Sequence, residues 1–450
     1  MRDYMQKTFT LAACTTAVLA GTLTASVVSA EPAEISVTNE TLYSTNAALQ
    51  ENKEADTRNR TTLDFYKVLS RTRLSGDIGF NLGYEHYFND VFANDSDLVA
   101  TMDVNSAYEF SPNFKWELRD TLNQVRKNST EVGTPDNRQL INVFETGPQW
   151  MIPLSGRTGL RLGSEYENLW FEDSDEQSNR ITGTAALVTE LATGHQIEGG
   201  VEADRAWIER RPTEIGATGT IETDSNSQTL FAQLSKQYEN SRYSVRGGYT
   251  FVNTESPTQE TEFDGPTAQL SYVYGGVTTQ GVIDMKLSHS LSDTFSDQNV
   301  KTFDALDTRD RFDTIETTQF RLLGSYPLTA VDEISAVGSV SLEKYQTQEI
   351  EDERYTAELL YRRTFTPQVL GDISFRRDQE EFSNNFREIV TYYVEASVEH
   401  RPLKNVRLEY AVGYTEREED IIISDALGVR RGLNGIEEVY FSFGVTWFRL

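Results

Sequence analysis

The stretch Gly435-Ile-Glu-Glu-Val-Tyr-Phe-Ser-Phe-Gly-Val-Thr-Trp-Phe-Arg-Leu450 decides the fold. One parity carries Val439, Phe441, Phe443, Val445 and Trp447, and the other carries Glu438, Tyr440, Ser442, Gly444 and Thr446. Side chains of a β-strand alternate between its faces, so this segment is a strand with hydrocarbon against one face and water against the other. Its backbone edges need partners, because nothing in lipid satisfies a free N–H or C=O. A closed barrel provides them by joining the last strand to the first. The rival reading is the last strand of a soluble β-sandwich, and the spacing of the loops separates the two.

Upstream the same alternation recurs from Asp77. Ile78, Phe80, Leu82, Tyr84 and Phe88 share a face, as do Leu98, Ala100, Met102, Val104, Tyr108 and Phe110 in the next strand. Phe114, Trp116, Leu118 and Leu122 follow the turn Ser111-Pro112-Asn113. Further strands are predicted near 139–151, 158–172, 180–191, 195–209, 227–239, 242–253, 266–275, 280–292 and 316–326. Others fall near 333–346, 353–365, 369–380, 388–400, 404–416 and 436–449. The total is about 18, an even number as bacterial single-chain barrels require.

Between these strands tight turns such as Ala192-Gly194, Asn240-Ser241 and Thr366-Gln368 alternate with polar, acidic connections such as 210–226, 293–315 and 417–435. A sandwich has no reason to sort its loops by length onto two ends, whereas an outer-membrane barrel has short periplasmic turns and long extracellular loops. The expected fold is therefore an all-β antiparallel transmembrane barrel over 61–450, with both termini periplasmic. Residues 31–60 have no apolar period and are expected to form a periplasmic tail. Residues 61–75 alternate weakly and are left as a plug or an extra strand.

The N-terminus indicates the compartment. Arg2 and Lys7 precede an apolar run from Phe9 to Val28, which ends at Val28-Ser29-Ala30, so residues 1–30 read as a secretory signal cleaved after Ala30. Leu11-Ala12-Ala13-Cys14 also spells a lipobox, but its apolar region would be short and the hydrophobic run continues past it. With cleavage after Ala30 the only cysteine leaves with the signal, and no disulfide framework is expected.

The formal charge of −29, with 70 acidic against 41 basic residues, argues against nucleic acid as a partner. Mean hydropathy is −0.49, and no second run is long enough for a membrane helix. Barrel strands need only about 10 residues, half of them apolar, so averages hide them. The 21 tyrosines and 23 phenylalanines beside 11 prolines suit aromatic girdles and unbroken ladders.

Parity separates wall from lumen. Leu230, Leu234, Val245, Tyr249, Phe251, Leu270, Leu287 and Leu322 fall on the lipid side, and charges fall on the other. Arg119, Arg161, Arg242, Arg246, Arg321, Glu395, Glu399 and Glu409 are the candidate lumen charges. Either the arginines face the acids across a constriction and set up a transverse field, or opposite charges pair along a wet wall.

Neither metal, cofactor nor catalytic residue is expected. Glu172-Asp173-Ser174-Asp175-Glu176 and the aspartates from Asp293 to Asp313 lack calcium-loop spacing. His86, His195, His289 and His400 have no hydrolase motif around them, and His289 and Ser290 point to opposite faces.

Gly83-Tyr84-Glu85-His86-Tyr87-Phe88-Asn89-Asp90-Val91-Phe92, followed by aromatic hairpins to residue 450, resembles the porin-2-type outer-membrane barrels. In particular it resembles those found with exopolysaccharide or exosortase (PEP-CTERM) systems. The family's frequent Asp-Asn-Val-Phe stands here as Asn89-Asp90-Val91-Phe92. The resemblance implies a Gram-negative outer-membrane barrel linked to polysaccharide secretion, with polysaccharide or export components as partners beside outer-membrane lipid and the barrel insertion machinery. The expected function is a passive channel for hydrophilic solutes or an export-associated pore. The alternative is a non-conducting anchoring barrel whose acidic loops bind envelope components.

Overall fold

The structure, a computed structural model, describes residues 33–47, 53–89, 91–92, 96–126, 137–172, 177–210, 221–257, 260–275, 281–293, 314–346, 350–383, 387–422 and 430–449. Among them the chain forms 20 strands and no α-helix. The first ten are β1 (Glu34–Ser44), β2 (Asp56–Ser70), β3 (Leu74–Tyr87), β4 (Ser96–Ser111), β5 (Phe114–Arg126), β6 (Arg138–Pro153), β7 (Thr158–Phe171), β8 (Gln177–Glu190), β9 (Gln196–Arg210) and β10 (Ile221–Gln237). The second ten are β11 (Ser241–Glu255), β12 (Glu260–Tyr274), β13 (Val282–Asp293), β14 (Thr314–Pro327), β15 (Asp332–Tyr345), β16 (Ile350–Thr366), β17 (Val369–Phe382), β18 (Arg387–Leu403), β19 (Val406–Ile422) and β20 (Arg430–Arg449). Each pairs antiparallel with its neighbours in sequence, and β1 pairs with β20 from Ile35 opposite Arg449 to Ser44 opposite Tyr440. The sheet closes on itself, so no backbone edge is left open.

Twenty strands replace the expected 18 because the expected tail and the undecided segment are both wall. β1 covers much of residues 31–60, and β2 covers most of 61–75. The terminal strand therefore finds its partner in β1 rather than in the strand that begins near Asp77. β1 escapes a hydropathy reading because its outward row is Ile35, Val37, Asn39, Thr41 and Tyr43, polar in the middle. Those polar groups satisfy one another. Asn39 Nδ2 donates to Asn59 Oδ1 (3.2 Å) and Thr61 Oγ1 (2.8 Å), and Asn59 Nδ2 donates to Thr41 Oγ1 (3.0 Å). On β2, Phe65 stacks on Phe80 of β3 with ring centroids 4.9 Å apart, which ties it to the apolar belt.

Connections after even-numbered strands are tight, with Pro112 and Asn113 joining β4 to β5 and Lys404 and Asn405 joining β18 to β19. Those after odd-numbered strands reach their extreme at 294–313, between β13 and β14. Several stretches read as loops are strand instead. β10 begins at Ile221, and β11 and β12 run on to Glu255 and Glu260, leaving only 256–259 between them. Apart from Ile221 and Phe263 both faces of these extensions lack large apolar side chains, so the alternation that marks a strand fades while the backbone ladder continues.

Outward rows carry the large apolar side chains. Leu98 is 61% exposed, Leu230 57% and Phe441 53%, and the apolar candidates from Leu230 to Leu322 stand on one face. Several outward cations lie over or beside aromatic rings. Arg205 lies 5.2 Å from the Trp207 ring, Lys236 4.6 Å from Tyr238 and Arg363 5.7 Å from Phe365. One departure from parity is Asp120, an outward acid only 3% exposed that accepts from Asn142 Nδ2 at 2.8 Å.

Candidate functional site

The lumen is the candidate site. Alternation dictates its lining, because every inward position lies between two outward ones that pack the belt. On β5 to β9, inward Arg119, Glu145, Arg161, Glu167, Arg180, Glu202 and Asp204 line a cavity of about 680 Å³ together with hydroxyl and amide side chains from β8 to β14.

The eight residues singled out from the sequence all face inward, but they fall into three groups. Arg119, Arg161 and Arg246 are held by acids along the wall. Arg119 Nη1 lies 3.0 Å from Glu145 Oε2 on the next strand, and its Nε donates to Asn105 Oδ1 at 3.0 Å. Arg161 on β7 reaches over β8 to donate to Glu198 on β9. Arg246 on β11 reaches over β10 to Glu202 at 3.2 Å, with its guanidinium 3.9 Å from the centre of the Phe231 ring.

Glu395, Glu399 and Glu409 gather on the other side of the barrel. Glu399 lies 2.5 Å from Arg401 and 3.8 Å from Arg407. Glu409 stands in register between Glu399 and Gly444, and Gly444 in turn faces Glu40. Glu395 accepts from the Tyr440 hydroxyl at 2.5 Å across the intervening Gly413. A Cβ at that position would stand 2.1 Å from the Tyr440 ring, so any larger residue there would push the ring aside. The Tyr440 side chain lies flat over the glycine to reach the next strand but one. Arg242 and Arg321 form the third group: among the described residues neither has an ion pair.

Several inward charges lay beyond the reach of the sequence. Glu85 is fully buried, accepts from Arg138 Nη1 and lies 3.8 Å from Arg58, which also pairs with Glu40 at 3.3 Å. The cluster ties β1, β2, β3 and β6 together. Arg180 is similarly held between Glu167 (3.6 Å) and Asp204 (2.6 Å). The signal available in the sequence was parity alone, and it could not reveal which strands would lie side by side.

No group of three or more histidine, cysteine or acidic side chains among the described residues could hold a metal ion. Residues 173–176 and the aspartates from 297 to 313 lie outside the described residues. His289 stands on the outward row, 2.9 Å from Thr318 Oγ1 and 3.7 Å from Glu316, while Ser290 stands on the inward row opposite Thr317.

No family model matches the chain, and no curated relative matches it. Solved structures similar to it include the ferric-catecholate import receptor Fiu from E. coli K12, at 8% identity and TM-score 0.47 over 93% of this chain and 82% of that one. The FrpB iron transporter from Neisseria meningitidis is similar at 7% identity and TM-score 0.48, over 92% and 81% of the two chains. The siderophore receptor PiuA from Acinetobacter baumannii is similar at 9% identity and TM-score 0.46, over 93% and 82%.

Proposed function

We propose that this barrel is an outer-membrane channel for hydrophilic solutes. The observation that carries the reading is the division of its two faces: a continuous outward belt of exposed leucine, valine and aromatic side chains, and an inward surface of charges, hydroxyls and amides around a polar cavity, with an inward apolar cluster that includes Ile141, Leu169, Phe171 and Ile208 confined to one end of β5 to β9. A closed antiparallel sheet with that division is stable where lipid is outside and water inside. Twenty strands enclose more cross-section than the 16–18 of porins that leave an aqueous channel. Transport through such a lumen is passive, and the lining charges select among solutes. The further link to exopolysaccharide secretion rests on the resemblance around Gly83–Phe92 alone.

Single-channel conductance of the folded protein in a planar bilayer tests the proposal. Steady conductance steps are expected. Silence from a chain that is shown to be folded by its heat-shifted gel mobility would contradict the channel and leave the anchoring barrel. The membrane part of the reading has its own expectation. Leu230→Arg, on the outward row opposite Val201 and Tyr249, should cost the folded state about 2–4 kcal/mol in lipid vesicles. Gln233→Arg, inward on the same strand and opposite Arg246 and Glu198, should cost well under half of that. Denaturant midpoints in vesicles measure both.

A further inference from the structure

The inward cations of this barrel are mostly neutralised by acids. Arg119, Arg161, Arg180, Arg362, Arg376, Arg387 and Arg417 all have a carboxylate within ion-pair reach. Lys286 and Arg321 do not. They stand directly opposite each other on β13 and β14, and among the described residues neither makes an ion pair or a hydrogen bond. Directly opposed inward side chains are about 5 Å apart at Cβ, and like charges in that relation repel. Arg60 is also without an ion pair, but it stands in register between Glu40 and Glu85 and so has acids on both sides. Lys286 and Arg321 have hydroxyls instead: Ser271 and Ser244 continue the row on one side, and Ser339 and Thr356 on the other.

The surroundings repeat the pattern. The inward rows of β10 to β14 carry Arg242, Arg246, Lys286 and Arg321 against a single acid, Asp284, and the remaining polar positions are serine, threonine and glutamine. The row above the Lys286–Arg321 pair runs Arg246, Gln269, Ser288, Gln319. In a lumen that is acidic elsewhere, this sector holds four cations to one acid, and Lys286 and Arg321 stand among neutral donors and acceptors with Asp284 as the next inward residue on β13.

Resting on the channel reading, we infer that the Lys286–Arg321 pair and its hydroxyl and amide rows form a binding site for a solute that carries a carboxylate and several hydroxyl groups, such as a uronic-acid sugar. The carboxylate accepts charge-assisted hydrogen bonds from the two cations and removes their mutual repulsion. The hydroxyls exchange water for the serine, threonine and glutamine side chains of the adjoining rows. A simple inorganic anion satisfies only the first half of this chemistry, and a neutral sugar only the second.

Binding of D-glucuronate, D-glucose and inorganic phosphate to the folded full chain in detergent, measured by titration calorimetry, tests the inference without requiring conduction. Glucuronate is expected to bind at least tenfold more tightly than either of the others. The double variant Lys286→Gln/Arg321→Gln is expected to lose at least tenfold in that affinity while keeping its heat-shifted gel mobility. Arg119→Gln, whose arginine is held by Glu145, is expected to leave it unchanged. Equal binding of phosphate and glucuronate, or binding unaffected by the double variant, would overturn the site. In planar bilayers the same glucuronate should interrupt the current of the unaltered protein but not of the variant. Conduction without interruption counts against the site and leaves the channel standing, whereas binding without conduction removes the channel alone.

Discussion

Deleting residues 33–47 is expected to abolish the folded barrel. β1 is bonded along its whole length on both edges, with Glu34–Ser44 against β2 and Ile35–Ser44 against β20. Its removal leaves β2 and β20 as two open edges. β2 and β20 both run antiparallel to β1 and therefore parallel to each other, so joining them directly would require a parallel ladder in place of the antiparallel pairing that each makes with β1. In lipid each unsatisfied backbone group costs several kcal/mol. The expected result is complete loss of the heat-shifted band on a gel. A folded band of undiminished stability would show that Glu34–Ser44 is not part of the wall.

The second large effect is expected at Glu85. Its carboxylate is fully buried between Arg58 and Arg138, whose side chains are each 19% exposed. Replacing one member of a buried ion cluster leaves its partners uncompensated, at a cost of about 3–5 kcal/mol. Glu85→Ala should therefore lower stability by about that amount. Arg58 keeps its pair with Glu40. Lys115→Ala, which removes a 43% exposed partner of the 39% exposed Glu117, should cost about 1 kcal/mol or less. Denaturant unfolding in vesicles distinguishes the two, and equal effects would contradict the distinction drawn between buried and wet pairs.

What could be read in the sequence follows from what alternation encodes. β20 and β11 were legible because Phe441, Phe443, Tyr249 and Phe251 are unmistakable on one parity. β1 was not, because Asn39 and Thr41 occupy outward positions and only their partners Asn59 and Thr61, brought alongside by the fold, make that tolerable. Asp120 was missed for a similar reason, since Asn142 on the next strand receives it. Among the candidate charges, parity placed all eight inward. It could not say that Arg161 and Arg246 reach across a strand to find their acids, because that depends on side-chain length and tilt. Nor could it separate Arg321, which faces another cation, from Arg119, which faces an acid. Gly413 gave no signal until Tyr440 was seen lying over it.

The most direct test of the central claim, that one face of this sheet meets lipid and the other water, is a nitroxide scan along β10. With Cys14 replaced by serine the chain has no other cysteine, so single cysteines at positions 228 to 235 can each carry a spin label in reconstituted vesicles. Positions 228, 230, 232 and 234 should be relaxed by dissolved oxygen, and 229, 231, 233 and 235 by a water-soluble nickel complex, in strict alternation. Uniform accessibility to nickel along the strand would contradict a membrane-spanning barrel.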